Sequence, residues 1–82
     1  MGEDQYYGWI FVKEKLPPLG EDVLIAYVDE DGDGNKDVEY LVSHYYERTI
    51  ITSKMKEWNL PQYYRQSCVR AWRKIPVFQI GE

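Results

Sequence analysis

Two apolar runs around a polar loop are the feature that most constrains the fold of this chain. The run from Val23 to Val28 is continuous, rich in β-branched residues and of strand length, and residues 38–46 form a second run. Between them, residues 29–37 are mostly Asp, Gly and Asn, which favour turns and are too polar for a core. The pattern therefore predicts an antiparallel β-hairpin over about residues 23–46, with a long tip.

Alternation within the second run predicts which of its side chains share a face, because neighbouring side chains of a strand point to opposite sides. One face is predicted to carry Val38, Tyr40, Val42 and His44, and the other face Glu39, Leu41, Ser43 and Tyr45.

Shorter strands are predicted near both ends of the chain. Trp9–Val12 is apolar enough to enter a core, and Ser67–Trp72 has the composition of a last strand. Strict alternation would place Cys68, Arg70 and Trp72 on one face of that last strand.

The middle of the chain is less constrained by its sequence. Residues 49–52 have the composition of a strand, and Ser53 can cap a short helix whose apolar face would include Met55 and Trp58. Residues 62–67 are compatible with a helical turn or a loop. The predicted fold class is α+β or mainly β: a small antiparallel sheet of three to four strands, with room for one short helix.

Length and composition indicate a single domain. Of the 82 residues 44% are apolar, and three Trp, eight Tyr and two Phe supply much of the area that a small core can bury. We expect a flexible arm over residues 1–8 and one compact domain over residues 9–80. No run is long and apolar enough for a membrane span, and the single Cys favours a reducing, cytoplasmic setting.

The acidic loop resembles the first half of a calcium-binding EF-hand loop. Asp29, Asp31 and Asp33 occupy the first three ligand positions and Gly34 follows them, but Tyr40 stands where the bidentate Glu belongs. Both flanks also have strand character, whereas an EF-hand needs helices. The loop is predicted to be a solvated hairpin tip, and the three aspartates are kept as candidates for weak cation binding.

Catalytic and cofactor-binding motifs are not found in the sequence. His44 and Cys68 are the only residues of their kinds and lie on different predicted strands, so no spacing argues for a Cys–His dyad or a zinc site. Neither a Walker A motif nor a G-x-G-x-x-G motif is present. We therefore expect a protein that is not an enzyme and that needs no cofactor.

Charge is distributed unevenly along the chain. Residues 1–46 contain three lysines and eleven acids, whereas residues 47–82 contain seven Lys and Arg and three acids. Within the basic half, cations alternate with aromatic rings, as in surfaces that attract phosphates and stack bases. The candidate binding residues are Tyr64, Arg65, Arg70 and Arg73.

Two segments carry a resemblance to a known family. Residues 9–24 read W-I-x-V-x-E-x-L-P-x-x-G-x-x-V-L, and the closing segment is Val69-Arg70-Ala71-Trp72-Arg73-Lys74-Ile75-Pro76. The chain resembles a family of small bacterial proteins of unknown function, associated with phages and prophages, that opens with the first motif and closes with V-x-H-W-x-x-L-P. Ala71 replaces the His of that pattern, so any role of that His is lost here.

The expected function is that of a small accessory domain that binds an unidentified protein or a second copy of itself. The resemblance, not the composition, implies a phage or prophage context. Two alternatives stay open: a nucleic-acid-binding module using residues 65–74, and a weak calcium binder using the loop of residues 29–37. None of these readings involves a membrane.

Overall fold

The computed structural model describes residues 8–76 of the chain. Most of the predicted arm and the last residues of the predicted domain therefore lie outside the described residues. The described part is mainly β. Its strands are β1 (Ile10–Phe11), β2 (Val23–Glu30), β3 (Lys36–Ser43), β4 (Tyr45–Ile50), β5 (Ser53–Trp58) and β6 (Val69–Lys74).

The strands form two antiparallel sheets. The larger sheet has four strands in the order β1-β6-β2-β3, and β4 and β5 form a separate two-stranded hairpin. The predicted antiparallel sheet is thus confirmed, as is the long hairpin, which consists of β2 and β3. The predicted first strand is present but shorter, since only Ile10 and Phe11 pair with β6.

The tip of the β2–β3 hairpin has a defined turn. Asp31 accepts a hydrogen bond from the Gly34 N–H at 3.1 Å, and the Asp31 N–H donates to the carbonyl oxygen of Asn35 at 2.9 Å. Gly34 has a φ of +87°, so this is a three-residue loop closed by a glycine bulge. The prediction that the acidic segment forms a hairpin tip is confirmed.

One segment was predicted wrongly, because residues 53–58 form a strand instead of a helix. Lys54 and Lys56 alternate with Met55 along β5, and each residue of β5 pairs with a residue of β4. This pairing satisfies the backbone groups that a helix would otherwise satisfy internally. The helical spacing of the apolar residues was a weaker signal than the sheet partner. Within residues 8–76, helical backbone is limited to one 3-10 turn, Gln66–Cys68.

The predicted faces of the last strand also need correction. Ala26 pairs with Ala71, but Tyr27 pairs with Val69, so Arg70 is an extra residue in a β-bulge. Val69 and Trp72 are consequently both buried in the core, and strict alternation through Arg70 does not hold.

The core lies on one face of the four-stranded sheet. Its buried side chains are Val23, Ile25, Tyr27, Trp58, Cys68, Val69 and Trp72. The base of the β4–β5 hairpin contributes Trp58 and the partly buried Tyr45, whose rings meet edge to face at 5.1 Å. The opposite face of the sheet receives no strand or helix from the described part of the chain.

Candidate interaction surface along the edge of β3

The outer side of β3 is an open sheet edge. Within residues 8–76, β3 pairs with β2 only and stands last in the strand order of its sheet. The bond between Asp31 and Asn35 marks one hydrogen-bonded pair, and such pairs alternate along an antiparallel ladder. The alternation directs the odd-numbered main chain of β3 towards β2. The N–H and C=O groups of Val38, Tyr40 and Val42 therefore point away from β2.

Hydrogen bonds at the far end of the hairpin agree with this assignment. The Gly20 N–H donates to the carbonyl oxygen of Tyr45 at 2.8 Å on the side of β2. The Asn59 N–H donates to the carbonyl oxygen of His44 at 2.9 Å on the outer side, where β5 ends. The outward groups of Val38, Tyr40 and Val42 receive no such hydrogen bond from residues 8–76.

The same three residues expose apolar side chains on the sheet face opposite the core. Val38, Tyr40 and Val42 are 51%, 60% and 62% exposed, as the predicted alternation of this strand implies. We call these three residues, with their outward main chain, the β3 edge. It offers two things to an extended partner segment: backbone groups that no other described strand pairs with, and apolar side chains.

Trp9 forms one side of this surface. Its ring lies 5.8 Å from the ring of Tyr40, and the guanidinium of Arg73 lies 5.7 Å from the indole centroid. Because Arg73 pairs with Leu24 across β6 and β2, this stack sits on the same apolar face of the sheet as Tyr40. The rings extend the apolar surface from β3 towards β6.

Other edges of the described part are less suited to pairing. β1 is only two residues long. β5 carries exposed Lys54 and Lys56, and charged side chains, lysine above all, discourage a further strand from pairing with an edge. β3 is longer than β1 and β5 and has an uncharged outward row through its centre.

The acidic tip of the hairpin, residues 29–37, is held by its own main chain. Oδ1 of Asp31 accepts the N–H groups of Asp33 and Asn35, each at 2.9 Å. These bonds stabilise the ionised carboxylate and hold the pKa of Asp31 below its usual value of 3.8, and the bond from the Asn35 N–H has the largest effect. Of the three candidate cation ligands, Asp31 is thus occupied by the turn. Residues 8–76 contain no group of three or more His, Cys, Asp or Glu placed to hold a metal ion.

An acidic, tyrosine-lined groove lies on the core side of the same hairpin. It has a volume of about 300 Å³ and is lined by Tyr27, Asp29, Asp37, Glu39, Tyr63 and Tyr64. The Tyr64 hydroxyl donates to Glu39 at 2.7 Å, and this bond raises the pKa of Tyr64. The Arg65 guanidinium contacts the carboxylate of Asp29 at 3.2 Å.

The four candidate nucleic-acid residues occupy different surroundings. Tyr64 and Arg65 are paired with carboxylates at the acidic groove. Arg73 lies on the opposite side of the sheet, over Trp9. Arg70, exposed at the bulge, lines a second groove of about 390 Å³ beside Lys13. The structure brings Tyr64 together with Arg65, and it separates this pair from Arg73.

Cys68 and His44 lie in separate environments. Cys68 is buried in the core cluster at the end of the 3-10 turn. His44 stands at the junction of β3 and β4, where its Nδ1 lies 3.5 Å from a carboxylate oxygen of Asp22.

Sequence reasoning missed the β3 edge as a site. The alternation of Val38, Tyr40 and Val42 was recognised, but it did not reveal that this strand has a single neighbour in the described part of the chain. The pairing of Arg73 with Trp9 was also missed, although both residues belong to the two motif segments.

Comparisons with known proteins add no assignment to this geometry. No helix in residues 8–76 has the length and apolar character needed to cross a membrane. Searches against protein-family models, curated proteins and solved structures find no match to this chain.

Proposed function

We propose that this protein is a non-enzymatic interaction domain that binds an extended protein segment along the β3 edge. The observation that carries the proposal concerns Val38, Tyr40 and Val42, whose outward main chain has no strand partner among the described residues and whose apolar side chains are exposed. A strand added there would gain backbone hydrogen bonds to β3 and would cover apolar area at the same time. A cytoplasmic accessory role in a phage or prophage setting is part of the proposal.

A non-enzymatic role is supported by the surroundings of the two nucleophile and base candidates. The thiol of Cys68 is buried among apolar side chains, where its chemistry is muted. The groups beside the His44 imidazole in residues 8–76 are the carboxylate of Asp22 and the ring of Tyr46, and the Cys68 thiol is not among them.

The test is capture of partners by the tagged protein from a host lysate, with nuclease treatment and a salt series. Val38→Lys/Val42→Lys places two charges on the β3 edge while leaving the bonds to β2 in place. Met55→Lys replaces one exposed apolar side chain of β5 by lysine and serves as a control for an added surface charge away from the β3 edge.

We expect a protein partner that survives nuclease and moderate salt, is retained by Met55→Lys and is lost with Val38→Lys/Val42→Lys. Capture that is unaffected by the edge substitutions would contradict the proposal. Recovery of nucleic acid that disappears as salt rises would also contradict it, and would favour the basic residues 65–74.

A further inference from the structure

We propose that the β3 edge pairs with the β3 edge of a second copy, in antiparallel orientation and with Tyr40 on the two-fold axis. The inference rests on the proposed function, because it names the partner that the edge receives. Two four-stranded sheets would then join into one sheet of eight strands. Such an isologous contact uses the same surface on both copies and closes after two.

Hydrogen-bond geometry limits the possible registers. A two-fold axis perpendicular to the sheet keeps the apolar faces of both copies on the same side. Each even-numbered residue of β3 must therefore face an even-numbered residue of the second copy, and each odd-numbered residue an odd-numbered one. The outward groups belong to Val38, Tyr40 and Val42, and the carbonyl of His44 is already taken by Asn59. The free stretch is therefore centred on Tyr40, with Val38 opposite Val42 of the second copy.

Charge selects the same register. An axis through Glu39 would set two like carboxylates opposite each other, and an axis through Val38 would set Asp37 opposite Glu39. An axis through Leu41 would oppose Val38 to His44, whose outer side is occupied, whereas the Tyr40 axis brings only Lys36, at the end of β3, opposite His44. With Tyr40 on the axis, Glu39 faces Leu41 and no like charges meet.

The ends of the paired strands are complementary in charge. Antiparallel pairing carries the acidic tip of each copy past the start of β4 in the other copy, beside that copy's β4–β5 hairpin. The tip contains four aspartates and a glutamate with one lysine, whereas the hairpin displays Arg48, Lys54 and Lys56. Arg48 is already paired with Glu57, which also accepts a hydrogen bond from the Tyr46 hydroxyl, so the remaining charges of the hairpin are Lys54 and Lys56 against Glu47. Opposite charges at both ends favour a second copy over an acidic partner strand.

Apolar area would be buried along the whole junction. Val38 and Val42 of the two copies would form two cross-strand pairs on the exposed face, flanking the two Tyr40 rings. β-branched and aromatic pairs of this kind stabilise antiparallel ladders. Because the free stretch is short, the interface is small and we expect the dimer to depend on protein concentration.

The experiment is sedimentation equilibrium of the full chain over a wide concentration series, with two double variants that differ only in the charge at position 42. Val38→Lys/Val42→Lys sets like charges opposite each other in the proposed register. Val38→Lys/Val42→Glu sets opposite charges there. Within one copy the two positions are four residues apart on a strand, so they do not contact each other.

We expect the parent chain and Met55→Lys to dimerise. Val38→Lys/Val42→Lys should weaken dimerisation at least about tenfold relative to Val38→Lys/Val42→Glu, a difference of about 1.4 kcal/mol. Circular dichroism and thermal unfolding check that both double variants are folded.

Two results would overturn the dimer. The first is a parent chain that stays monomeric at millimolar concentration, and the second is equal dimerisation of the two double variants. Either result leaves the proposed function standing if the like-charge variant still loses a captured lysate protein. If that variant keeps all captured proteins as well, the proposed function fails with the dimer.

Discussion

The indole N–H of Trp72 donates a hydrogen bond to the carbonyl oxygen of Lys15 at 2.8 Å. This bond ties the buried centre of β6 to the segment that follows β1, just before the turn at Pro17. Trp72 is also paired with Ile25 in the middle of the sheet and is almost fully buried. One side chain therefore fixes the first loop to the core.

Replacing Trp72 by Phe should lower the free energy of unfolding by about 2 kcal/mol. The substitution removes a part-buried hydrogen bond and leaves the Lys15 carbonyl without that donor, in addition to the volume lost from the core. Urea unfolding monitored by circular dichroism measures the change. Trp9→Phe is the matched control, because Trp9 lies on the exposed face, and it should cost clearly less.

The turn between β4 and β5 contains a strained residue. Ile51 has a φ of +58° and is 92% exposed, while Thr52 keeps a negative φ. Positive φ at the first position of a two-residue hairpin loop is typical of the primed turns, which favour Gly, Asn or Asp there. Ile is disfavoured at this position because its side chain is β-branched.

We therefore expect Ile51→Gly to stabilise the fold by about 0.5–1 kcal/mol, after subtraction of the extra chain entropy of Gly. Thermal unfolding of the two chains gives the difference. Thr52→Gly should instead destabilise, since Thr52 has no left-handed strain to relieve. Equal effects of the two substitutions would show that strain at Ile51 is not the cause.

Local pattern determined β2 and β3, whereas long-range pairing determined much of the rest. The run from Val23 to Val28 is apolar and of strand length, so its assignment needed no partner. Residues 53–58 are mostly exposed, and Met55 and Trp58 fit a helix as well as a strand. Their state is decided by pairing with β4, which the local sequence does not encode.

The candidate surfaces show the same division. Tyr64 and Arg65 suggested phosphate and base contacts when read as neighbours in sequence. In the folded chain their partners are Glu39 and Asp29, which come from the distant acidic half. The open edge of β3 depends on the strand order of the whole sheet, so no local sequence motif predicts it.

Gly34 is required by the tip of the β2–β3 hairpin. A Cβ at this position would meet no heavy atom within 4 Å, so only its φ of +87° opposes a side chain. Gly34→Ala should therefore destabilise by about 1–2 kcal/mol. Gly32→Ala lies in the same open loop without a positive φ and should be neutral or slightly stabilising. Chemical denaturation of both variants measures the difference in their free energies of unfolding. Steric crowding cannot cause this difference, because neither added Cβ has a heavy atom within 4 Å.

The bond from Tyr64 to Glu39 should be visible in the titration of the phenol. Glu39 raises the pKa of Tyr64, because it accepts the phenolic hydrogen and its charge opposes a phenolate. Glu39→Ala should lower that pKa, as followed by NMR of ring-labelled tyrosine in alkaline solution. Tyr64→Phe assigns the signal by removing it. An unchanged titration in Glu39→Ala would show that the bond does not persist in solution.

Acid should weaken the hairpin tip through Asp31. Its folded-state pKa is lowered by the N–H groups of Asn35 and Asp33, so the ionised form is favoured by folding. A group of this kind contributes stability that is complete above its unfolded pKa and is lost as the pH falls through the folded pKa. The window therefore lies below about pH 3.8.

Asp31→Asn should lower stability at neutral pH and flatten its acid dependence in that window, whereas Asp33→Asn should not. Unfolding curves of the three chains between neutral and acidic pH measure this, and parallel pH profiles for the parent and Asp31→Asn would contradict it.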